Sequence, residues 1–502
     1  MIRTSTVEDS GPEAPKPEAP KDDVARLAGR GTLFITAAKV WFIVTGYGIY
    51  FALPRLLSAE QWGLYVVVTG AVSVINAVIV TGTYQTVSKY VSQEEEKADS
   101  VKAAALRLQL LVGGGASLGF FLLAGVIAGY LNDQRLTSYL RLASLITLSY
   151  SFYSVFTGYF NGRRKFLAQA GLDAAYSTLK VICIVSFVWL GYGVAGAVAG
   201  FAMAAGGVLL LSAIAAGKGS RRGAVRQRDL FRFQAYLLVS TLVINLLQRA
   251  DLFLIKARSA SDAATASANA GYYAASTALA GVTYQIIISV TFVIFPLISE
   301  ATFTGDQAKT RMYVSNTLRY TLMIMALVAS LLSANSAEVL HVVYTDEYQI
   351  GATALSVVAY GMLLFGLLYV LTTIISASGR PKVSLLIGTF TLLASGILNF
   401  LFIPMYGLTG AAIGTTAAMF LGVLVSGVYV GKTLGGFMPL GSAVRITGCA
   451  LAVFGVSRLL VPVSRWLIVL QLAGIGAAYV AALILTGELS RDDLRAARRV
   501  VR

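Results

Sequence analysis

About fourteen apolar stretches of membrane-crossing length divide this chain, and the gaps between them alternate between basic and nearly charge-free. Arg163, Arg164 and Lys165 crowd one gap; Lys218, Arg221, Arg222, Arg226, Arg228 and Arg232 crowd the next but one. The gap between them, Gly191-Tyr192-Gly193, carries no charge, and neither does the later Pro404-Met405-Tyr406-Gly407. Lysine and arginine are retained on the cytoplasmic side of a bilayer, so this alternation predicts an all-α polytopic membrane protein with both termini cytoplasmic. The runs are continuous rather than alternating in ten-residue segments, which excludes a transmembrane barrel.

Fourteen spans of about 20 residues occupy roughly 280 residues, which leaves a 502-residue chain short loops but no large soluble domain. At 57% hydrophobic and 13% charged, the composition cannot clothe a globular surface. The net charge of +16 does not point to nucleic acid, because most of the basic residues fall in the cytoplasmic gaps, where they orient the chain and attract anionic lipid. Cys183 and Cys449 both lie in apolar runs and His341 is the only histidine, so neither a structural disulfide nor a zinc or His-rich metal site is expected. Walker, His-Glu-x-x-His and Gly-x-Ser-x-Gly sequences are missing, so the sequence predicts neither an enzyme nor a cofactor. Any driving force is then an ion gradient, the membrane potential or the supply of substrate.

Residues 1–25, rich in Pro, Glu, Lys and Asp, are expected to be a disordered cytoplasmic tail. The expected order thereafter is a six-helix lobe over 26–216, a basic linker over 217–232 and a second six-helix lobe over 233–433. Two extra spans over 434–487 and a basic tail over 488–502 complete it. The pairing of lobes rests on a repeat. Tyr192-Gly193-x-x-Gly196-Ala197-x-x-Gly200 returns as Tyr406-Gly407-x-x-Gly410-Ala411-x-x-Gly414, 214 residues on. Asn161-Gly162-Arg163-Arg164-Lys165 has a weaker echo in Ser378-Gly379-Arg380-Pro381-Lys382 at offset 217, and Gly63-Leu64-Tyr65 in Gly271-Tyr272-Tyr273 at offset 208. An even number of spans per copy gives the copies one orientation, related by an axis along the membrane normal, with a cavity between them. The gap containing Glu338, Asp346 and Glu347 is expected to hold a short interfacial helix.

The segment Pro54-Arg55-Leu56-Leu57-Ser58-Ala59-Glu60-Gln61-Trp62-Gly63-Leu64-Tyr65 resembles the polysaccharide-biosynthesis, or O-antigen flippase, family. That family belongs to the multidrug/oligosaccharidyl-lipid/polysaccharide (MOP) exporter superfamily. Asn245-x-x-Gln248-Arg249-Ala250-Asp251, then Gly271-Tyr272-Tyr273 and Phe295-Pro296-Leu297, resemble the start of its second lobe. The resemblance implies flipping of a lipid-linked sugar across a bacterial inner membrane, with a polysaccharide polymerase and glycosyltransferases as partners. It leaves open a peptidoglycan-precursor flippase, a multidrug antiporter on the same architecture and a non-transporting scaffold. Membrane lipids are the other expected contact, nucleic acid is not one, and the chain is expected to be a monomer.

Charges inside the spans carry the chemical expectation, since a charge at the membrane centre costs about 2.5–3.5 kcal/mol unless it faces a cavity, a partner or the interface. They are Lys39, Asp173, Lys180, Arg249, Asp251 and Arg319. Four cations against two carboxylates suit a pyrophosphate headgroup. Lys39, Lys180 and Arg249 are candidate substrate contacts, as is Arg55 by the family motif, with snorkelling to the cytoplasmic interface the alternative for Lys39. Asp173 and Asp251 are ion-coupling candidates, with ion pairs to Lys180 and Arg249 as the alternatives, and Arg319 is expected to snorkel. Most tyrosines should belong to interfacial belts, and any that face the cavity could stack on sugar rings.

Overall fold

The computed structural model describes residues 21–219, 227–460 and 467–490. The linker arginines 221, 222 and 226 and the C-terminal stretch 491–502 lie outside the described residues. The described chain forms sixteen α-helices: α1 (Lys21–Leu56), α2 (Ala59–Gln93), α3 (Ala98–Tyr130), α4 (Leu136–Gly162), α5 (Phe166–Phe187) and α6 (Gly193–Ala216). After the linker come α7 (Gln227–Leu247), α8 (Ala250–Arg258), α9 (Ala263–Ala280), α10 (Val282–Phe303) and α11 (Gln307–Ala334). The short α12 (Ser336–Val343), where an interfacial helix was expected, precedes α13 (Ala352–Ala377), α14 (Pro381–Leu434), α15 (Leu440–Leu459) and α16 (Leu467–Leu485). Helix α1 starts at Lys21, inside the tail expected to be disordered.

This is an all-helical, multi-pass membrane protein. Among the described residues, eight helices are long and apolar enough to cross a bilayer. Large apolar side chains such as Leu111, Leu122 and Val126 of α3 stand exposed along them, as lipid-facing positions do. Two of the eight, Phe166–Ala216 and Pro381–Leu434, run for 51 and 54 residues. At 1.5 Å per residue each would be about 80 Å long if straight, more than twice the hydrocarbon thickness. Both fold back on themselves, and the repeated glycine motif is what folds them.

Gly193 (φ 53°, ψ −137°) and Gly407 (φ 56°, ψ −128°) adopt nearly the same conformation, one that a residue with a Cβ resists. The remaining motif glycines let the two arms touch. A Cβ on Gly200 would lie 2.6 Å from the Cys183 carbonyl oxygen, and one on Gly410 only 2.1 Å from that of Phe402. The repeat at offset 214 is therefore one hairpin used twice. The basic turns also correspond, at a different register from the one read in the sequence. Lys165 N–H donates to Phe160 O (2.9 Å) past Arg164 at φ 57°, and Arg380 N–H donates to Ile375 O (3.2 Å) past Gly379 at φ 82°. Both are helix ends closed by a left-handed residue. They align Arg164 with Gly379, which corrects the offset from 217 to 215, because geometry rather than residue identity fixes the position of the turn.

The third repeat lies at a contact between its own two copies. Gly63 of α2 and Gly271 of α9 cross each other: a Cβ on Gly63 would lie 1.7 Å from Ser267 O, and one on Gly271 would lie 2.4 Å from Ala59 O. Small residues at a crossing allow backbone approach in lipid. Helix α2 thus packs on α9 at its first turns and on α7 towards its last, besides α4 of its own half.

Candidate functional site

A cavity of about 520 Å³ lies between the two halves of the chain. Its walls come from α1 (Phe42–Tyr50), α2 (Tyr65–Asn76), Tyr150 of α4, Tyr176 and Lys180 of α5, Phe201 of α6, the α7–α8 junction, α9 through Tyr284, and Met362. Two local breaks shape it. Helix α7 stops at Leu247 and α8 resumes at Ala250, so Gln248 and Arg249 form an irregular turn on the cavity wall. Gly281, between α9 and α10, faces it too. Irregular backbone inside a membrane is tolerated where it lines a cavity.

Among the described residues two cations line this space, Lys180 from the first half and Arg249 from the second, and no Asp or Glu does. The Lys180 ammonium sits 4.3 Å from the centroid of the Phe201 ring, an attraction that holds a cation without neutralising it. Ser73, Thr69, Asn76, Gln248 and Thr277 supply neutral hydrogen-bonding groups. The aromatic content divides as the sequence could not divide it: Tyr47, Tyr50, Tyr65, Tyr150, Tyr176 and Tyr284 all line the cavity. Tyr150 stands edge-on to Tyr176 with centroids 5.2 Å apart, and Trp62 stacks behind Tyr65.

The carboxylates stand behind these walls. Asp173 accepts a hydrogen bond of 2.7 Å from Tyr153 Oη, with Lys39 within electrostatic range. Asp251 is buried and accepts from Tyr273 Oη (2.8 Å), the Leu252 N–H (2.8 Å) and Thr415 Oγ1 (3.3 Å). Each half therefore places one carboxylate under a tyrosine hydroxyl, half-buried at Asp173 and buried at Asp251, and turns one cation to the cavity. Among the described residues neither Asp173–Lys180 nor Asp251–Arg249 forms an ion pair. Asn399, fully buried on the first arm of the α14 hairpin, donates to Thr415 Oγ1 (3.0 Å) and to Ser395, while its own Oδ1 has no hydrogen-bond partner. Sequence reasoning missed Asn399, although an amide inside the apolar run Ile397-Leu398-Asn399-Phe400 was the signal.

The other candidates lie away from the cavity. Lys39 is exposed on α1. Arg55 donates from Nη2 to the carbonyls of Val343 (2.8 Å) and Val342 (3.4 Å), closing the C-terminal end of α12. Arg319 does not snorkel: its guanidinium binds the buried Glu488 carboxylate at 2.7 Å, which Arg445 also holds at 2.8 Å. Burial alone would raise the Glu488 carboxyl, but the hydrogen bonds from Arg319 and Arg445 prevail and hold it below its ordinary value.

Residues 28–302 match the model of a family described as polysaccharide biosynthesis protein. A stretch of 133 residues is 27% identical to an uncharacterized membrane protein of Methanocaldococcus jannaschii. That match spans 26% of this chain and 26% of the relative, about a quarter of its length. Among solved structures, the lipid II flippase MurJ in an inward closed conformation superposes with a TM-score of 0.74 at 15% identity, over 92% of this chain and 99% of that one. An inward-facing multidrug resistance transporter of the MATE family in the MOP superfamily gives 0.67 at 14% identity, over 78% and 95%. A MOP superfamily transporter of Pyrococcus furiosus, described by the reverse polarity of its binding pocket, gives 0.55 at 15%, over 81% and 94%. At these identities the likeness establishes a shared fold.

Proposed function

The chain belongs to the polysaccharide biosynthesis protein family and has the fold of the MOP superfamily, and on that premise we propose that it flips a polyprenyl-pyrophosphate-linked oligosaccharide across the bacterial inner membrane by alternating access. Each folded-back hairpin crosses twice, and α7 with α8 and α9 with α10 each cross once, which yields the fourteen crossings that put both termini in the cytoplasm. The ends of α2, α4 and α13 that carry Lys89, Arg163 and Arg380 then face the cytoplasm, in line with the retention of positive charge there.

The observation that carries the reading is a cavity with Lys180 and Arg249 on opposite halves and, among the described residues, no carboxylate on its walls. A diphosphate accepts charge-assisted hydrogen bonds from both, and its negative charge draws the halves together once bound. Tyrosine faces offer stacking surfaces for sugar rings beside it. A cavity of about 520 Å³ is of the size that encloses a drug-sized group, enough for the headgroup while the prenyl chain stays in lipid. A cation-exporting antiporter would need acidic groups that these walls lack. Arg55 and Lys39, outside the cavity, act before or after this step rather than in it.

Coupling falls to Asp251, whose carboxylate accepts from the Thr415 hydroxyl to which Asn399 Nδ2 donates, or to Asp173 under Tyr153. The test is flipping of a fluorescent lipid-linked oligosaccharide in proteoliposomes by Lys180→Glu and Arg249→Glu. Each reversal should lower the rate at least about ten-fold, as expected for the loss of a charge-assisted contact worth 1.5–3 kcal/mol. Unchanged rates in folded protein would remove the electrostatic basis of the reading.

A further inference from the structure

One cluster of buried charge lies outside the cavity, where the first turns of α2 and α9 cross. The α3–α4 turn, from the first half, places Asp133 there; α8, from the second, places Lys256. Lys256 is fully buried and its ammonium donates to Asp133 Oδ2 (2.9 Å), Ala263 O (2.9 Å) and Ser267 Oγ (2.7 Å), which uses all three of its protons. Asp133 also takes a two-pronged contact of 2.9 Å per prong from Arg135 Nε and Nη2, and Arg135 Nη1 reaches Glu60 at 2.6 Å. Beside it, Asn132 in a left-handed conformation donates to Ala257 O (3.0 Å), again from one half to the other.

We infer that the Lys256–Asp133 pair is a reversible lock that closes the cavity at this end and must part for the cavity to open there. The two charges come from different halves, so relative motion of the halves separates them. Neither is in the cavity, so neither is explained by cargo, and the inference holds whatever the cargo is. Apolar residues would seal this crossing permanently. A buried charge pair seals it while closed, and water entering on opening rehydrates both partners, so the open state is not penalised as an apolar seal would penalise it. Removing Asp133 leaves the Lys256 ammonium buried without a counter-charge and biases the protein towards opening, whereas Asp133 without Lys256 is still held by Arg135; replacing both with apolar groups of similar size holds it shut.

The test uses the full chain in liposomes, with Cys183 and Cys449 replaced by serine and a Ser73→Cys reporter on the cavity wall. A membrane-impermeant methanethiosulfonate is applied from the side that also labels an Asp262→Cys control in the α8–α9 loop. Asp133→Leu should label the reporter about ten-fold faster or more than the unmodified lock, and Asp133→Leu/Lys256→Met should return to the slow rate. A reporter rate in Asp133→Leu equal to that of the parent, in protein still labelled normally from the opposite side, overturns the inference. Should Asp133→Leu fail to fold, Asp133→Cys/Lys256→Cys bridged by a short bifunctional thiol reagent decides it. Bridging should suppress labelling from this side, reversibly if the bridge is cleavable, and labelling as fast as in the unbridged protein overturns the lock.

Discussion

The two ends of the inter-half contact are closed by different chemistry. Where α2 begins, the seal is the Gly63–Gly271 crossing plus full charges: Asp133 with Lys256, backed by Arg135 and Glu60 of the first half, and Arg55 on the end of α12. Where α2 approaches its other end, the seal is neutral. Gln234 of α7 and Gln109 of α3 both donate to Thr83 Oγ1, at 2.9 and 2.8 Å, and Thr83 donates in turn to Ile79 O. Lys89 lies 4.0 Å from the Phe233 ring centroid, and the Tyr90 hydroxyl reaches Asp229 O at 3.5 Å. Neutral hydrogen bonds contribute about 0.5–1.5 kcal/mol each, whereas deleting one partner of a buried pair while the other stays dry costs about 3–5 kcal/mol. The proposed lock predicts that the protein opens first at the basic end, where α7 meets α2, and that the charged end is held until something offsets the Lys256–Asp133 pair.

The largest effect that would break this asymmetry is steric. Gly63→Ala places a methyl 1.7 Å from Ser267 O, and neither backbone can yield without moving the helices apart. The overpacking should cost about 1–3 kcal/mol of closed-state stability at the charged end alone. The check is spin-label distance measurement across each end: the charged end should widen while the basic end stays put. Widening of both ends equally would show that the halves do not pivot about separate seals.

Much of this arrangement was legible in the sequence because it depends on local backbone rules. The Gly193 and Gly407 motif could be read as a repeat since only glycine satisfies both a positive φ and a backbone approach under 3 Å, as at Gly200 and Gly410. Lys180 and Arg249 could be named because a lone cation in an apolar run has few places to go. Arg319 was misjudged for want of a partner 169 positions away, Glu488, which no periodicity links to it. Asp133 and Lys256 went unnoticed for the same reason: in sequence they are a loop acid and a span-end lysine, each with an ordinary interfacial explanation, and only the approach of the two halves turns them into a pair.

A smaller effect sharpens the comparison from the neutral side. Gln234→Ala removes one amide donor to Thr83, which keeps Gln109. The expected loss is about 1 kcal/mol, a roughly five-fold shift towards opening at the basic end. Labelling of the Ser73→Cys reporter from that side should quicken accordingly, with no change from the other.

The smallest expected effect is the absence of one. Burial pushes the Asp133 carboxyl up, but hydrogen bonds from Arg135 and Lys256, with their charges, outweigh it and bring the group down to about 2. A depressed carboxyl contributes stability that is fully present above its unfolded value of 3.8 and is lost only as pH falls through about 2. The charges facing it are Lys256 and Arg135, with Glu60 and Asp262 acting through Arg135. In a His341→Gln background, which removes the chain's one histidine from the α12 contact beside Arg55, labelling through the charged end should therefore be flat between about pH 5 and 8. A rise in labelling towards pH 5 would mean that Asp133 takes up a proton in that range, so that the lock is weaker than its geometry implies and the two ends differ less than their chemistry suggests.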